Sequence, residues 1–363
     1  MSAAGARDTG AGTPETEDAL EEALELLEDT APEYPPFGFV NHGPMVAEAL
    51  TRLGRADAVV PWTLDYRGKL DAAPEPGTAV DTDDWAGSLG DLSRFADWEA
   101  RFALELESEP WADVVGRWVP RLVRGVSADA LHGVIRVGHA VRGLEARVTD
   151  LRTRELARGL ALWAATYLPL PGDPAAAGGG PALPPLDAVR SIRRITDEER
   201  GDVFSIVAGL IALHDVADFA PVIGLVDPAP DPAAFLVDLG STFAQVALEQ
   251  VRDPLSAIVF THTITGPAAL GLLLPYLPAE THASAAAFAW QAAAGVYAAL
   301  GSEPAAASTG EHVPDVEDLV ERAIATADEH AIKLTEACVR LDDGSGMHLA
   351  AADIAVAALA ESA

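Results

Sequence analysis

Helical periodicity runs almost without a break from residue 91 to residue 170, and it restricts the fold more than any other feature of the sequence. Consecutive stretches here place apolar side chains three or four residues apart, as one face of an amphipathic helix requires. The alternation of apolar and polar residues that is typical of strands is scarce throughout the chain. The sequence therefore predicts an all-α protein, a single large multi-helix domain with a common core.

The first 30 residues differ in character from the rest. Residues 1–14 are small and polar, which favours disorder. Residues 15–29 are acidic and carry leucines at helical spacing, which predicts an amphipathic helix. We therefore expect a disordered segment and an acidic helix over residues 1–30, followed by one all-α domain over residues 31–363. The further helices predicted in that domain lie at 196–213, 231–250, 255–276, 281–300, 313–341 and 347–361.

The charge of the chain excludes one class of partner. Its 363 residues have a formal net charge of -32 and a sequence pI of about 4.4. A surface this negative repels phosphate backbones and anionic lipid headgroups. We therefore expect the chain to bind neither nucleic acid nor a membrane surface.

One segment is long and apolar enough to be compared with a membrane span. Residues 254–279 contain no Asp, Glu, Lys or Arg. They do contain Thr261, His262 and Thr263, so a buried helix is the preferred interpretation. The single cysteine, Cys338, and an N-terminus without an apolar stretch predict a reducing, cytoplasmic location.

A histidine and a lysine stand one helical turn apart in the stretch DEHAIKLTEAC, residues 328–338. Only two lysines occur in the chain, and Lys333 is one of them. His330 lies on the apolar stripe of its helix, and a lysine held beside that stripe has its charged form disfavoured, which lowers its pKa. A neutral amine can react with carbon dioxide to give a carbamate, an anionic oxygen ligand for a metal. Alternatively, Lys333 is an ordinary solvated lysine that pairs with Glu329.

Other histidines also occupy apolar surroundings. His42 stands at the turn into a helix, His132 follows Ser127, the expected cap of its helix, and His262 lies within the charge-free segment. A single core histidine more often bonds a backbone carbonyl than takes part in chemistry, and that interpretation stays open for each of them. His139 is a further candidate because it shares a helix face with His132, and His214, which precedes Asp215 at a helix end, is a reserve candidate.

Four phrases of the sequence belong together: FVNHGPMVAEALTRLG (39–54), HGVIRVGHAVRGLE (132–145), FTHTITGPAALGLLLPYLP (260–278) and DEHAIKLTEACVR (328–340). Jointly they resemble the questin oxidase-like family. The resemblance extends from about residue 34 to about residue 350. It implies an α-helical oxygenase that opens the ring of an anthraquinone or a related polyketide by oxidative cleavage of a C–C bond.

The resemblance also implies a metal centre, with iron(II) held by several imidazoles and a carboxylated lysine. Mixed nitrogen and oxygen ligation of a redox-active metal favours Fe(II) for oxygen chemistry. NADPH has been associated with such activity, although the chain has no convincing GxGxxG motif after a strand. The positions that match the family's ligands are His42, His132, His262, His330 and Lys333.

The chain departs from its fungal relatives beside that centre. Those relatives tend to have a histidine where this chain has Arg136, and an aromatic residue where it has His139. We expect Arg136 to act as a fixed cation and His139 as a proton shuttle, so that together they orient an acidic phenol or enolate. The expected partners are therefore a small aromatic substrate and dioxygen, and the sequence assigns no oligomeric state.

Three other functions fit the same residues. The first is a metal-free, NADPH-dependent and flavin-free monooxygenase of the Baeyer–Villiger type, in which the histidines are acid–base or core residues. The second is a helical protein that binds an apolar small molecule without chemistry. The third is a zinc hydrolase, which five protein ligands disfavour because they leave poor access for an attacking water.

Overall fold

The computed structural model describes residues 12–34, 39–174, 181–201, 205–303 and 313–361. Within these ranges helices dominate, and the only sheet is a two-stranded antiparallel ribbon of β1 (Glu33–Tyr34) and β2 (Phe39–Val40). The predicted all-α class is confirmed. The part of the predicted disordered segment that covers residues 1–11 lies outside the described residues.

The described residues group into two compact units. The division into residues 1–30 and one all-α domain over residues 31–363 stays a prediction. The N-terminal unit takes its described residues from Thr9–Leu168 and Pro275–Leu277. The C-terminal unit takes its described residues from Pro169–Leu274 and Pro278–Ala363. Helical periodicity shows which face of a helix is buried but not which helices it is buried against, so it does not reveal such a division.

The N-terminal unit is a set of helices packed around tryptophans. Trp98, Trp118 and Trp163 are fully buried, and the Trp98 and Trp118 rings meet edge to face with centroids 5.7 Å apart. Gly133 allows two of the helices to approach closely, because a Cβ placed there would lie 2.8 Å from Trp163. The helices are α1 (Pro14–Leu27), α2 (Gly43–Arg52), α3 (Ala56–Arg67), α4 (Phe95–Ser108), α5 (Trp111–Leu122), α6 (His132–Ala146) and α7 (Asp150–Ala165).

The C-terminal unit has two long apolar helices at its core, α12 and α13. Its helices are α8 (Pro185–Ser191), α9 (Asp197–Arg200), α10 (Ile206–Ala212), α11 (Pro232–Gln250), α12 (Pro254–Leu273), α13 (His282–Leu300), α14 (Val316–Ala325), α15 (Glu329–Leu341) and α16 (Met347–Ala360). Helix α12 packs against α11, α13, α15 and α16. The most apolar window of the segment Pro254–Tyr276 is 83% buried, and that of Ala279–Leu300 is 78% buried. This burial is consistent with core helices of a soluble protein.

Two of the predicted helices are each divided in the structure. The segment predicted at 313–341 forms α14 and α15, because Ala327 adopts φ 55° and Asp328 caps the second helix by accepting from the His330 and Ala331 N–H groups. The segment predicted at 196–213 likewise contains α9 and α10 rather than one helix. The apolar periodicity of residues 313–341 continues through Ala327, so it does not mark that break. Helix α9 ends at its C-cap, Gly201, which adopts φ 67°.

Candidate metal centre

His42 is positioned by the backbone and side chains at the start of α2. The backbone N–H of His42 donates to the Tyr66 hydroxyl at 2.8 Å. The Asn41 side chain donates to Thr30 Oγ1 at 3.0 Å and accepts from the Gly43 N–H at 3.0 Å. These bonds fix the backbone on both sides of His42, whose side chain is buried.

His132 follows three residues whose backbone adopts a conformation that is rare in proteins. Asp129, Ala130 and Leu131 have φ values of 45°, 57° and 70°, which lie in the left-handed region where non-glycine residues are uncommon. Helix α6 therefore begins at His132, five residues after the Ser127 cap that the sequence predicted. Such strained backbone persists only where its surroundings hold it, and it often accompanies functional sites.

The imidazoles of His42 and His132 lie next to each other inside the N-terminal unit. Their Nε2 atoms are 2.9 Å apart, and their rings are nearly perpendicular at 87°. His132 Nδ1 lies 2.6 Å from the Asp129 carbonyl oxygen. Because a carbonyl only accepts, Nδ1 carries the proton and the Nε2 of a neutral His132 presents a lone pair toward His42.

A second pair of histidines lies inside the C-terminal unit. His262, on α12, has its ring centroid 5.4 Å from that of His330, on α15. His262 Nδ1 donates to the Ile258 carbonyl oxygen at 2.7 Å, which again leaves Nε2 as the lone-pair nitrogen. Burial, followed by the positive charges of His330 and Lys333, holds the pKa of His262 well below its usual range, so this imidazole is neutral at pH 7.

Lys333 lies beside this second pair and is almost completely enclosed. Its side chain is 1% exposed, and its Nζ has no hydrogen-bond partner among the described residues. Burial lowers the pKa of Lys333 to about 7, against the opposing effect of the Glu329 and Asp328 carboxylates. A large fraction of the amine is therefore neutral at physiological pH, in agreement with the sequence-based expectation of a desolvated lysine.

Arg136 and His139 lie on α6 but are each bound by a carboxylate. Arg136 is fully buried and donates through Nε and Nη2 to the two carboxylate oxygens of Glu155, at 2.6 and 2.9 Å. His139 Nδ1 lies 2.7 Å from Glu48 Oε2. Of the Arg136 nitrogens, only Nη1 has no hydrogen-bond partner among the described residues. Any contact between Arg136 and a substrate would therefore use Nη1 or the second N–H of Nη2.

His139 lies beside a small crevice in the N-terminal unit. Glu48, His139 and Glu155 line it together with apolar side chains of α1. Its volume of about 10 Å³ is roughly that of a single water molecule, and an aromatic substrate does not fit in it. The reserve candidate, His214, is exposed and hydrogen-bonds the Pro169 carbonyl oxygen at 3.0 Å.

Three acidic residues of the N-terminal unit were missed in the sequence. Glu48 is buried between Arg52, Arg142 and His139. Burial alone would raise the pKa of Glu48, but Arg142 and His139 hold that pKa well below its usual range. Burial, with a smaller effect of Glu33, raises the pKa of Asp129 to about 8. The third is Glu155, the partner of Arg136. Acidic residues are so common in this chain that only their spatial partners distinguish these three.

Buried histidines of this chain could hold a metal ion. Metal-bound histidines nearly always donate their second ring N–H to a carbonyl or a carboxylate, and His132 and His262 both make this bond within the described structure. No protein-family model matches the sequence, and no curated protein matches it either.

Proposed function

We propose that this chain is a non-haem, metal-dependent oxygenase that cleaves a C–C bond of an aromatic, polyketide-like substrate of the anthraquinone type. The substrate class and the iron(II) come from the sequence resemblance to the questin oxidase-like family. The metal is supported independently by the buried histidines. The resemblance assigns His42, His132, His262, His330 and a carboxylated Lys333 to one ion.

The arrangement of His42 and His132 is the observation that carries the proposal. Two nitrogens that bind one ion at 2.0–2.1 Å and at right angles lie about 2.9 Å apart. The Nε2 atoms of His42 and His132 are separated by 2.9 Å. The same separation corresponds to a hydrogen bond between the two rings and equals the spacing that two adjacent ligands of an octahedral ion require.

The state of Lys333 is also in keeping with a ligand. A buried ammonium without a hydrogen bond would destabilise the folded protein by roughly several kcal/mol, because burial penalises an unpaired charge. Loss of the proton removes the charge, and reaction of the neutral amine with carbon dioxide gives a carbamate whose oxygens need cationic partners. A metal ion beside His262 and His330 would supply that partner. Bound iron(II) would supply the one-electron chemistry that allows dioxygen to react with an organic substrate.

Metal analysis of the purified protein tests the ligand assignment. After dialysis against a chelator, the wild-type chain should retain about one iron per chain, and His132→Ala, His262→Ala and Lys333→Met should each retain much less. Two matched controls should behave like wild type: His214→Ala removes an exposed imidazole, and Lys69→Met removes the other lysine, which is exposed. Retention of full iron by the ligand variants would overturn the assignment, and loss from only one histidine pair would show that the pairs do not share an ion.

Oxygen uptake distinguishes the proposed oxygenase from the other candidates. The iron-loaded protein should consume dioxygen when a hydroxylated anthraquinone is added, and ring-opened product should appear by mass spectrometry. Turnover that needs NADPH and is unchanged after iron removal would favour the metal-free monooxygenase. Tight binding of the anthraquinone without oxygen uptake would favour a binding protein.

A further inference from the structure

His348 lies in the first turn of α16 and is buried without a hydrogen bond. Its side chain is 1% exposed, and neither Nδ1 nor Nε2 has a hydrogen-bond partner among the described residues. The ring lies near α11, where a Cβ placed on Gly240 would be 3.8 Å from His348 Nε2. Buried polar groups in proteins are nearly always satisfied, so two unbonded ring nitrogens suggest that something else binds there.

Two carboxylates stand close to this imidazole. One ligand atom each from Asp342, Asp343 and His348 can be chosen so that all three lie within 4.8 Å of one another. Asp342 is buried, whereas Asp343 is exposed and leaves the group open to solvent. We propose that these three side chains form a divalent-cation site at the turn between α15 and α16.

The turn itself brings the three residues together. In the sequence DDGSGMH, residues 342–348, Gly344 and Gly346 adopt φ values of 88° and 77°, which residues with a Cβ seldom adopt. The chain therefore reverses within a few residues, and His348 returns toward Asp342 and Asp343. An ion bound here would link the end of α15 to the first turn of α16.

The ligand set favours a transition metal over calcium or magnesium. Imidazole is a good ligand for Zn²⁺, Mn²⁺ and Fe²⁺, whereas Ca²⁺ and Mg²⁺ prefer oxygen alone. The two carboxylates match the charge of a divalent ion. This site is separate from the histidines of the candidate metal centre, because the helix from His330 to Leu341 advances roughly 16 Å at 1.5 Å per residue.

Zinc titration of the chelator-treated full chain tests the site. By isothermal titration calorimetry, the wild-type protein should bind one more Zn²⁺ than Asp343→Asn or His348→Gln, or bind that ion at least about tenfold more tightly. Asp343→Asn changes an exposed residue, so the test holds even if His348→Gln does not fold. The matched control, His214→Gln, removes an exposed imidazole of the same unit and should bind zinc as the wild type does.

The same comparison in a His262→Ala background separates this site from the proposed oxygenase centre. There the Asp343→Asn substitution should still remove one Zn²⁺, whether or not the histidine pairs bind iron. Zinc should also raise the melting temperature of the His262→Ala protein more than that of the His262→Ala/Asp343→Asn protein, since an ion that binds only the folded chain stabilises it. Equal zinc stoichiometry and affinity with and without Asp343→Asn would overturn the proposal.

Discussion

Arg136 and Glu155 form a two-bond ion pair inside the N-terminal unit, with donor–acceptor distances of 2.6 and 2.9 Å. The pair joins α6 to α7 next to the helix start that carries His132. The Arg136 side chain has no exposure to solvent, so its charge depends on this carboxylate for compensation. The sequence suggested a substrate-orienting cation at this position, and the geometry adds a structural role.

Replacing one partner of this pair should destabilise the protein strongly. Arg136→Met leaves the Glu155 carboxylate buried without its cation, and we expect a loss of about 3–5 kcal/mol in the free energy of unfolding, measured by urea denaturation. The double variant Arg136→Met/Glu155→Met removes both charges and should recover most of this loss. An Arg136→Met protein as stable as wild type would show that the pair contributes nothing to the fold.

Lys333 should give the metal-free protein a distinct dependence of stability on pH. The pKa of Lys333 is about 7 in the folded state, against about 10.4 in the unfolded chain. Between these values the unfolded state binds a proton that the folded state lacks, so stability rises with pH, by at most about 1.4 kcal/mol per unit. The Lys333→Met variant lacks this rise. Its free energy of unfolding should therefore exceed that of the wild type most at pH 6.

Urea unfolding of chelator-treated protein at pH 6, 8 and 10 measures the effect. The control Lys69→Met, which replaces the exposed lysine, should follow the wild-type profile at all three values. If the Lys333→Met profile runs parallel to wild type, the amine is not desolvated in the folded protein.

Asp129 should make the stability of the protein fall, rather than rise, with increasing pH. Burial raises the pKa of Asp129 to about 8, while an unfolded aspartate titrates near 3.9. Between pH 4 and pH 8 the folded state retains a proton that the unfolded state has released, so this group lowers stability as pH rises. Asp129→Asn should match wild type near pH 4 and become progressively more stable than wild type toward pH 8. Thermal unfolding at pH 4, 6 and 8 measures the difference, and a constant gap would contradict the raised pKa.

The break between α14 and α15 offers a test of backbone strain. Ala327 has φ 55°, a conformation that costs an L-residue roughly 1 kcal/mol and costs glycine much less. Ala327→Gly should therefore raise the free energy of unfolding by up to about 1 kcal/mol. The matched control is Ala350→Gly within α16, which should lower stability by roughly 0.5–1 kcal/mol. Destabilisation by both substitutions would show that Ala327 is not strained.

Apolar patterning predicted the fold class and most of the long helices. Helices α5 and α15 repeat their apolar residues every three or four positions, whereas α12 and α13 are long apolar runs that are buried nearly all round. The patterning missed the start of α6 and the break at Ala327. Both depend on non-glycine residues in the left-handed region, which sequence propensity places elsewhere. The buried carboxylates of Glu48 and Glu155 were missed for a different reason. A chain with 56 acidic residues gives no local sign of which ones are buried.

The sequence by itself determined that the chain is helical and that its histidines and Lys333 stand among apolar residues, because both properties are local patterns along the chain. Only the tertiary structure decided that His42 meets His132, that His262 meets His330, and which carboxylate holds each arginine. These pairs join residues far apart in sequence, and their contacts depend on how whole helices pack. Periodicity specifies a helix face, but the choice of the opposing face is made by packing in three dimensions.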